Sequence, residues 1–288
     1  MPLVRADLFI RPARNDDLPQ LRCLMETSQR AHLALDWWSL DDWVGNPAFL
    51  VAQSDQRLIG FGMGVRDASP VAWLRALVAE DGSSPAVLLD VLIPPMLNAL
   101  RVQGVPALAC LAWAGWLSDQ LPHYGFESVT RVMTLCKDDG IGPNRNSVAG
   151  LLVREAQPAD LDAITALDHA AFDAEWWYGH NTFFRMLRDP ARFVVVEQSG
   201  ELVGYAFGDV SGLHAHVTRL AVHPARQRRG IGAQLLADLI AHFHAHDVAR
   251  ITVNTQTDNE ASLRLYRRFG FAAMGTPVTV WRISLAVT

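Results

Sequence analysis

The sequence predicts an α/β protein of the α+β mixed-sheet kind, built twice: two tandem domains, each a central mixed, mostly antiparallel sheet flanked by helices. Three observations carry this. The chain repeats itself at a spacing of about 143 residues. The second copy reads β-α-α-β-β-β-α-β-α-β by hydrophobic period. A glycine-containing turn joins a buried strand directly to a helix in that copy and has no counterpart in the first.

Residues 10–21, IRPARNDDLPQL, align with residues 153–164, VREAQPADLDAI. Arg11 and Asp17 fall on Arg154 and Asp160. Leu58-Ile59-Gly60-Phe61 falls on Leu202-Val203-Gly204-Tyr205, and Gly64 on Gly208. Tyr124-Gly125-Phe126 falls on Phe269-Gly270-Phe271, and the tryptophan pair Trp37-Trp38 recurs as Trp176-Trp177. Matches in one order with slowly drifting offset mark a duplication. The Gly/Pro/Asn/Asp-rich stretch 137–150 reads as the seam. The expected division is therefore a domain over 1–140, a linker over 141–150 and a second domain over 151–288. A chain of 288 residues suits two domains at roughly 100–200 residues each.

In the second copy, 151–156 is a short strand, and Pro158 to Ala171 has helical periodicity with Asp160 in its first turn. Phe193 to Gln198 and Leu202 to Asp209 form a hairpin across Ser199-Gly200, and His214 to Val222 is the next strand. Gly232 to His246 is a helix with Leu235, Leu236, Leu239, Ile240 and Phe243 on one stripe. Ile251 to Thr255 is a strand, Glu260 to Phe269 a helix, and Val278 to Leu285 a last strand.

Composition narrows the class. Half the residues are apolar and the formal net charge is −5, which argues against a general nucleic-acid binder. No run of about 18 consecutive apolar residues occurs, so no membrane span is expected. No signal-peptide pattern opens the chain. Cys23, Cys110 and Cys136 lack metal-ligand spacing and read as reduced thiols of a cytoplasmic protein. Cys110 lies in an apolar run and reads as a core thiol.

The strand-to-helix turn, Leu220-Ala221-Val222-His223-Pro224-Ala225-Arg226-Gln227-Arg228-Arg229-Gly230-Ile231-Gly232-Ala233, suits an anion. The first N–H groups of a helix lack intrahelical partners, and the helix dipole adds positive potential there. Glycines admit close approach and positive φ. Arg226, Arg228 and Arg229 add charge. A phosphate or pyrophosphate is the expected guest. No third glycine completes a dinucleotide fingerprint, and no Gly-Lys-Ser/Thr ending completes an NTPase loop. The competing reading is a surface turn whose arginines are merely solvated.

At these residues the sequence resembles the GNAT superfamily of N-acetyltransferases. Gln227-Arg228-Arg229-Gly230-Ile231-Gly232 fits that family's Gln/Arg-x-x-Gly-x-Gly/Ala signature. Residues 259–271, NEASLRLYRRFGF, fit its Asn-x-x-Ala/Ser-x-x-Leu-Tyr-x-x-x-Gly-Phe pattern. The resemblance covers 151–288 and reaches the first half through the repeat. It implies acetyl-CoA as acyl donor, no metal, and an amine acceptor. It implies that residues 227–233 hold the coenzyme pyrophosphate and that Leu220, Ala221 and Val222 pair with the pantetheine arm as an added strand. It implies that Asn259 contacts the arm and that Tyr266 donates to the coenzyme sulfur as general acid. Asn259 also suits a helix N-cap, and Tyr266 also suits a core position.

The general base falls on His216, where lysine acetyltransferases of the superfamily carry a glutamate on the fourth strand; its ordinary pKa near 6.5 suits proton acceptance. The fifth-strand glutamate of ribosomal-protein alanine acetyltransferases is replaced by Asn254. The acceptor pocket is expected from the segment 172–184 together with the strand face of His214 and His216, with Glu175 and Trp176 receiving a cationic amine. At least one of Trp176 and Trp177 reads equally well as core.

In the first half the chemistry is blank. Gln227, Gly230 and Gly232 map to Ser83, Ala86 and Leu88; His216 maps to Ala72; Asn259 and Tyr266 map to Ala114 and Leu121. That half is expected to be degenerate and not to bind coenzyme A. The reading is an acetyl-CoA-dependent N-acetyltransferase of a small molecule, peptide or protein, a monomer or homodimer. A non-catalytic acyl-CoA sensor and a mycothiol-synthase-like tandem enzyme are the alternatives.

Overall fold

The computed structural model describes residues 8–138, 150–189 and 192–285. In chain order the first half contributes β1 (Phe9–Pro12), α1 (Leu18–Thr27), β2 (Arg30–Leu33), β3 (Phe49–Ser54), β4 (Arg57–Val65), β5 (Ala72–Ala79), α2 (Pro85–Val102), β6 (Ala107–Leu111), α3 (Gly115–Ser118) and β7 (Glu127–Lys137). The second contributes β8 (Leu151–Glu155), α4 (Leu161–Ala171), α5 (His180–Met186), β9 (Arg192–Gln198), β10 (Glu201–Ser211), β11 (His214–Val222), α6 (Ile231–Ala245), β12 (Arg250–Gln256), α7 (Glu260–Arg268) and β13 (Ala272–Ser284).

The mixed α/β architecture follows the sequence expectation, and so does the order of elements in the second half. The partner of the last strand does not. Val280–Ser284 of β13 run antiparallel to Leu111–Ala107 of β6. Val132–Lys137 of β7 run antiparallel to Gln256–Ile251 of β12. The halves thus exchange their final strands. The compact units are 1–130 with 278–288, and 131–277, rather than 1–140 and 151–288. Periodicity identifies a strand but is blind to its partner, which is why the exchange escapes a sequence reading. The expected linker, 141–150, lies outside the described residues apart from Gly150.

The first unit has strand order β1-β3-β4-β5-β6-β13, with β2 pairing β5. Its helix α2 is long and apolar enough to cross a membrane by length and composition alone. Leu88, Leu89, Leu92, Ile93, Met96 and Leu100 of α2 are buried in the unit's core with Leu50, Leu74 and Leu77 of the sheet, as in a core helix.

The second unit has strand order β7-β12-β11-β10-β9-β8. Leu235, Leu236, Leu239, Ile240 and Phe243 of α6 are buried against one face, each contributing about 1.5–3 kcal/mol. On the opposite face, the Tyr205 ring meets Phe183 of α5 edge-on at 5.5 Å between centroids, and its hydroxyl bonds Asp168 of α4.

The duplication is visible in three dimensions. Arg11 grips Asp17 through two bonds of 2.6 and 2.7 Å, and Arg154 grips Asp160 through two of 2.7 and 2.8 Å. Each carboxylate also accepts a backbone N–H three residues earlier, at Arg14 and Gln157.

The paired glycines Gly64 and Gly208 explain themselves in the same way: each lets a helix approach the sheet. A Cβ on Gly208 would lie 2.5 Å from Phe243 Cζ and 3.1 Å from the His216 carbonyl oxygen. Gly208→Ala is therefore expected to destabilise the protein by about 1–3 kcal/mol through overpacking. Gly115, with nothing within 4 Å of the corresponding position, supplies the neutral control. Urea unfolding of both variants checks this, and equal midpoints would refute the packing argument.

Candidate active site

The second unit opens between β11 and β12. These strands run parallel and pair only over His214–Val217 and Arg250–Val253. Beyond Val217, β11 stays bonded to β10 as far as Gly204↔Val222. Among the described residues no strand pairs with 218–222 on the other side, so that edge offers unmet backbone groups.

A bulge sits where the strands part. Gly208 lies opposite Val217 and Phe207 opposite Arg219, leaving Thr218 as the extra residue. The bulge resets the alternation. Val217, Leu220 and Val222 lie across from Gly208, Ala206 and Gly204 on the α6 side. His216 and Arg219 lie across from Asp209 and Phe207 on the α4 side.

The strand then runs through a short 3-10 turn at Pro224–Arg226 to Gly230, whose φ of +85° caps α6 in the left-handed region. Arg228 also has positive φ, +60°. The first N–H in the helix ladder belongs to Gln234, which donates to the Gly230 carbonyl. The amides of residues 231–233 therefore precede the ladder and have no backbone partner among the described residues. Arg228 and Arg229 are exposed and make no ion pair among the described residues, whereas Arg226 reaches Glu201 at 3.2 Å.

A Cβ on Gly232 would meet Leu265, Leu220 and Val222 at 3.5–3.7 Å, ordinary contact distances. The chain has room for an alanine there, so protein packing does not require the glycine. The same three neighbours show that the turn, the open edge of β11 and helix α7 meet at one place. Gln227 folds back, its amide donating to the Val222 carbonyl at 3.2 Å, and so braces the turn. Ile231 is buried, leaving only its N–H for a ligand; Ala233 is half-buried on the first turn of α6.

Asn259 is the N-cap of α7, its Oδ1 accepting from the Ser262 amide at 3.1 Å. Its side-chain NH2 has no partner among the described residues and remains available. Tyr266 is buried, with its ring 5.8 Å from that of Phe271. Burial raises its pKa, and nothing among the described residues hydrogen-bonds its hydroxyl. A hydroxyl without a protein partner at the tip of a buried ring suits a ligand acceptor.

His216 is half-buried; burial lowers its pKa and Asp209 partly offsets this. Its Nδ1 lies 2.8 Å from Thr252 Oγ1, and that hydroxyl donates to the Ala215 carbonyl at 3.3 Å. With its proton so committed, Thr252 accepts from Nδ1–H. The network thereby assigns the tautomer and leaves Nε2 with a free lone pair. His214 shares this face but is exposed at the start of the strand. Asn254 is exposed and accepts from Thr134 at 2.9 Å.

Residues 172–178 are held from several sides. Trp177 Nε1 donates to the Phe172 carbonyl at 2.9 Å, and the Trp177 ring stacks on His169 at 4.3 Å. Glu175 and Trp176 are half-buried in this segment. Beneath it lies a group that the sequence reading missed: Asp168, Tyr205 and Arg219, all buried. A charged residue in an otherwise alternating strand was the signal, but strict alternation puts Arg219 on the face opposite His216, and only the bulge brings them together.

In the first unit the corresponding edge is filled. β5 and β6 pair only at Ala72–Trp73 and Leu108–Ala109. Past that point Arg30–Leu33 of β2 run antiparallel to Ala79–Ala76 of β5, the segment that the repeat maps onto 220–222. His32 of β2 is fully buried, and burial pushes its pKa down to about 4.

A mixed sheet parted at its centre, with a glycine-capped helix facing the gap, defines the acetyltransferase-type fold. Residues 154–271 match the acetyltransferase (GNAT) family. Over 149 residues the chain is 32% identical to the N-alpha-acetyltransferase RimI of Mycobacterium tuberculosis, spanning 46% of this chain and 90% of that protein. Over 104 residues it is 36% identical to the mycothiol acetyltransferase of Acidimicrobium ferrooxidans, an alignment that spans only 34% of either chain. A tandem GNAT protein from the clavulanic acid biosynthesis pathway shares the fold, with a TM-score of 0.68 at 18% identity over 97% of this chain and 99% of that one. The chain belongs to the GNAT acetyltransferase family, and its second unit is the acyltransferase domain.

Proposed function

We propose that the protein transfers an acetyl group from acetyl-CoA to a primary amine by direct attack within a ternary complex. The observation that carries this is the meeting of three features around Gly232: the unpaired edge of β11, the unmet amides that open α6, and helix α7 with Asn259 and Tyr266. The amides of 230–233 with Arg228 and Arg229 suit a diphosphate, and residues 220–222 suit an extended amide-bearing arm.

The coenzyme supplies an activated thioester. His216 Nε2 takes the proton that the attacking amine loses, directly or through water. The Tyr266 hydroxyl donates a hydrogen bond to the departing sulfur. Because burial raises its pKa, it stays protonated at neutral pH; a thiolate, with an ordinary pKa near 8.5, needs only that bond. The acceptor enters over the face of His216, beside 172–178. One named relative is a mycothiol acetyltransferase and the other an N-alpha-acetyltransferase, so mycothiol-type amines and α-amines belong in an acceptor panel with polyamines, aminoglycosides and basic peptides. The free thiols Cys23, Cys110 and Cys136 are in keeping with a cytoplasmic setting.

We further propose one coenzyme per chain, because β2 occupies the edge that the arm requires in the first unit. Calorimetry with coenzyme A is expected to give a stoichiometry of about one. Gly232→Glu tests the cradle: an acidic residue in the first turn of a helix is neutral or stabilising for the fold, yet it repels a diphosphate. Affinity should fall by at least about tenfold with Tm unchanged or raised. Absence of any binding heat in the parent, or undiminished affinity in Gly232→Glu, would overturn the assignment.

A further inference from the structure

We propose that Arg219 is a positioning residue for the acceptor, acting by clamping the segment 172–178; this rests on the acetyltransfer reading above. Its side chain is 8% exposed and that of its partner Asp168 is 0% exposed. Nε donates to Asp168 Oδ2 at 2.8 Å, and Nη2 approaches the same oxygen at 2.7 Å. Nη2 also donates to the Trp176 carbonyl at 2.7 Å. The guanidinium carbon lies 3.6 Å from the Phe172 ring centroid and 4.1 Å from that of Tyr178. One cation thus holds the segment at its beginning, middle and end.

Asp168 completes the clamp. Its Oδ1 accepts the Tyr178 amide at 3.0 Å, and its Oδ2 accepts the Tyr205 hydroxyl. The carboxylate therefore joins α4, β10, β11 and the segment. Burial alone would pull the Arg219 pKa down; the charge of Asp168 and its hydrogen bond outweigh this, so the guanidinium remains charged.

The energetics favour positioning over stability as the outcome. A buried ion pair contributes little over apolar packing of the same volume, because desolvation offsets the attraction. Apolar packing has no means of fixing the direction of the Trp176 carbonyl and the Tyr178 amide. A planar guanidinium flanked by two rings does this, and an ammonium in its place loses the fork geometry. Arg219 lies on the face of His216, so the clamp sets where Glu175 and Trp176 stand relative to the face that bears the base.

The test uses the full-length protein with Arg219→Lys, and with the double variant R219M/D168L, which removes both charges together and leaves neither orphaned. In each, amide hydrogen exchange across 172–178 is expected to quicken by about tenfold or more while peptides from 227–245 are unchanged. The acceptor KM is expected to rise by about tenfold or more with the acetyl-CoA KM held within about twofold. Unchanged exchange and unchanged acceptor KM in Arg219→Lys would overturn the clamp, as would equal rises in both KM values. If the parent binds no coenzyme A, the acetyltransfer reading fails instead, and the exchange measurement still decides whether Arg219 orders the segment.

Discussion

Replacing Tyr266 with phenylalanine is expected to lower kcat about a hundredfold, at the lower end of what a positioned proton donor contributes, with coenzyme affinity held within about threefold. The substitution is well isolated. Tyr266 is buried in the core of the second unit among Leu263, Phe269 and Phe271, and phenylalanine keeps that packing. Its hydroxyl has no protein partner among the described residues, so no hydrogen bond within the fold is lost and Tm should hold or rise. A stopped kcat with intact binding separates a role in the chemistry from one in packing. Unchanged turnover would remove Tyr266 from the reaction. Absence of turnover in the parent with every amine, despite tight coenzyme binding, would favour an acyl-CoA sensor.

His216→Gln is expected to cost about a hundredfold in kcat/KM and to abolish the acid limb of the parent's pH profile. A histidine proposed as the base works only when neutral. Burial lowers its pKa below the ordinary 6.5, Asp209 notwithstanding, so the parent should be fully active at pH 7 and lose activity as pH falls through a value below 6.5. Thr252→Val removes the acceptor of Nδ1–H and releases the ring to either tautomer; a drop of about tenfold is expected. A rate profile in His216→Gln that still falls with the parent's inflection would assign the proton transfer to another group.

The strand-to-helix turn was legible in the sequence and the buried cluster beside His216 was not, and the reason is physical. A strand-to-helix turn is built from neighbouring main-chain groups, so it is written in consecutive residues such as Gly230 and Gly232 and in the caps of the helices that follow. Asn259 shows the limit of that legibility: its cap oxygen is read from helix rules, and its free amide group only from the structure. The face that bears His216 is built from side chains of Asp168, Tyr205, Arg219 and Thr252, which only the fold assembles. Its decisive feature, the extra residue at Thr218, has no signature of its own. The same holds for β2, since the four residues Arg30–Leu33 carry no clear alternation and become a strand because β5 offers an unpaired edge.

The exchanged strands β7 and β13 bear on how the molecule is made. Among the described residues the edge of β6 is sealed by residues 280–284, so the amino-terminal core stays unfinished on the ribosome until the second half has been synthesised. Severing the backbone between residues 138 and 150 would yield one fragment with a bare β6 edge and another with a bare β12 edge, each prone to self-association. Co-expressed, the two pieces carry each other's missing strand, and they should reassemble as a complementing pair where neither survives alone.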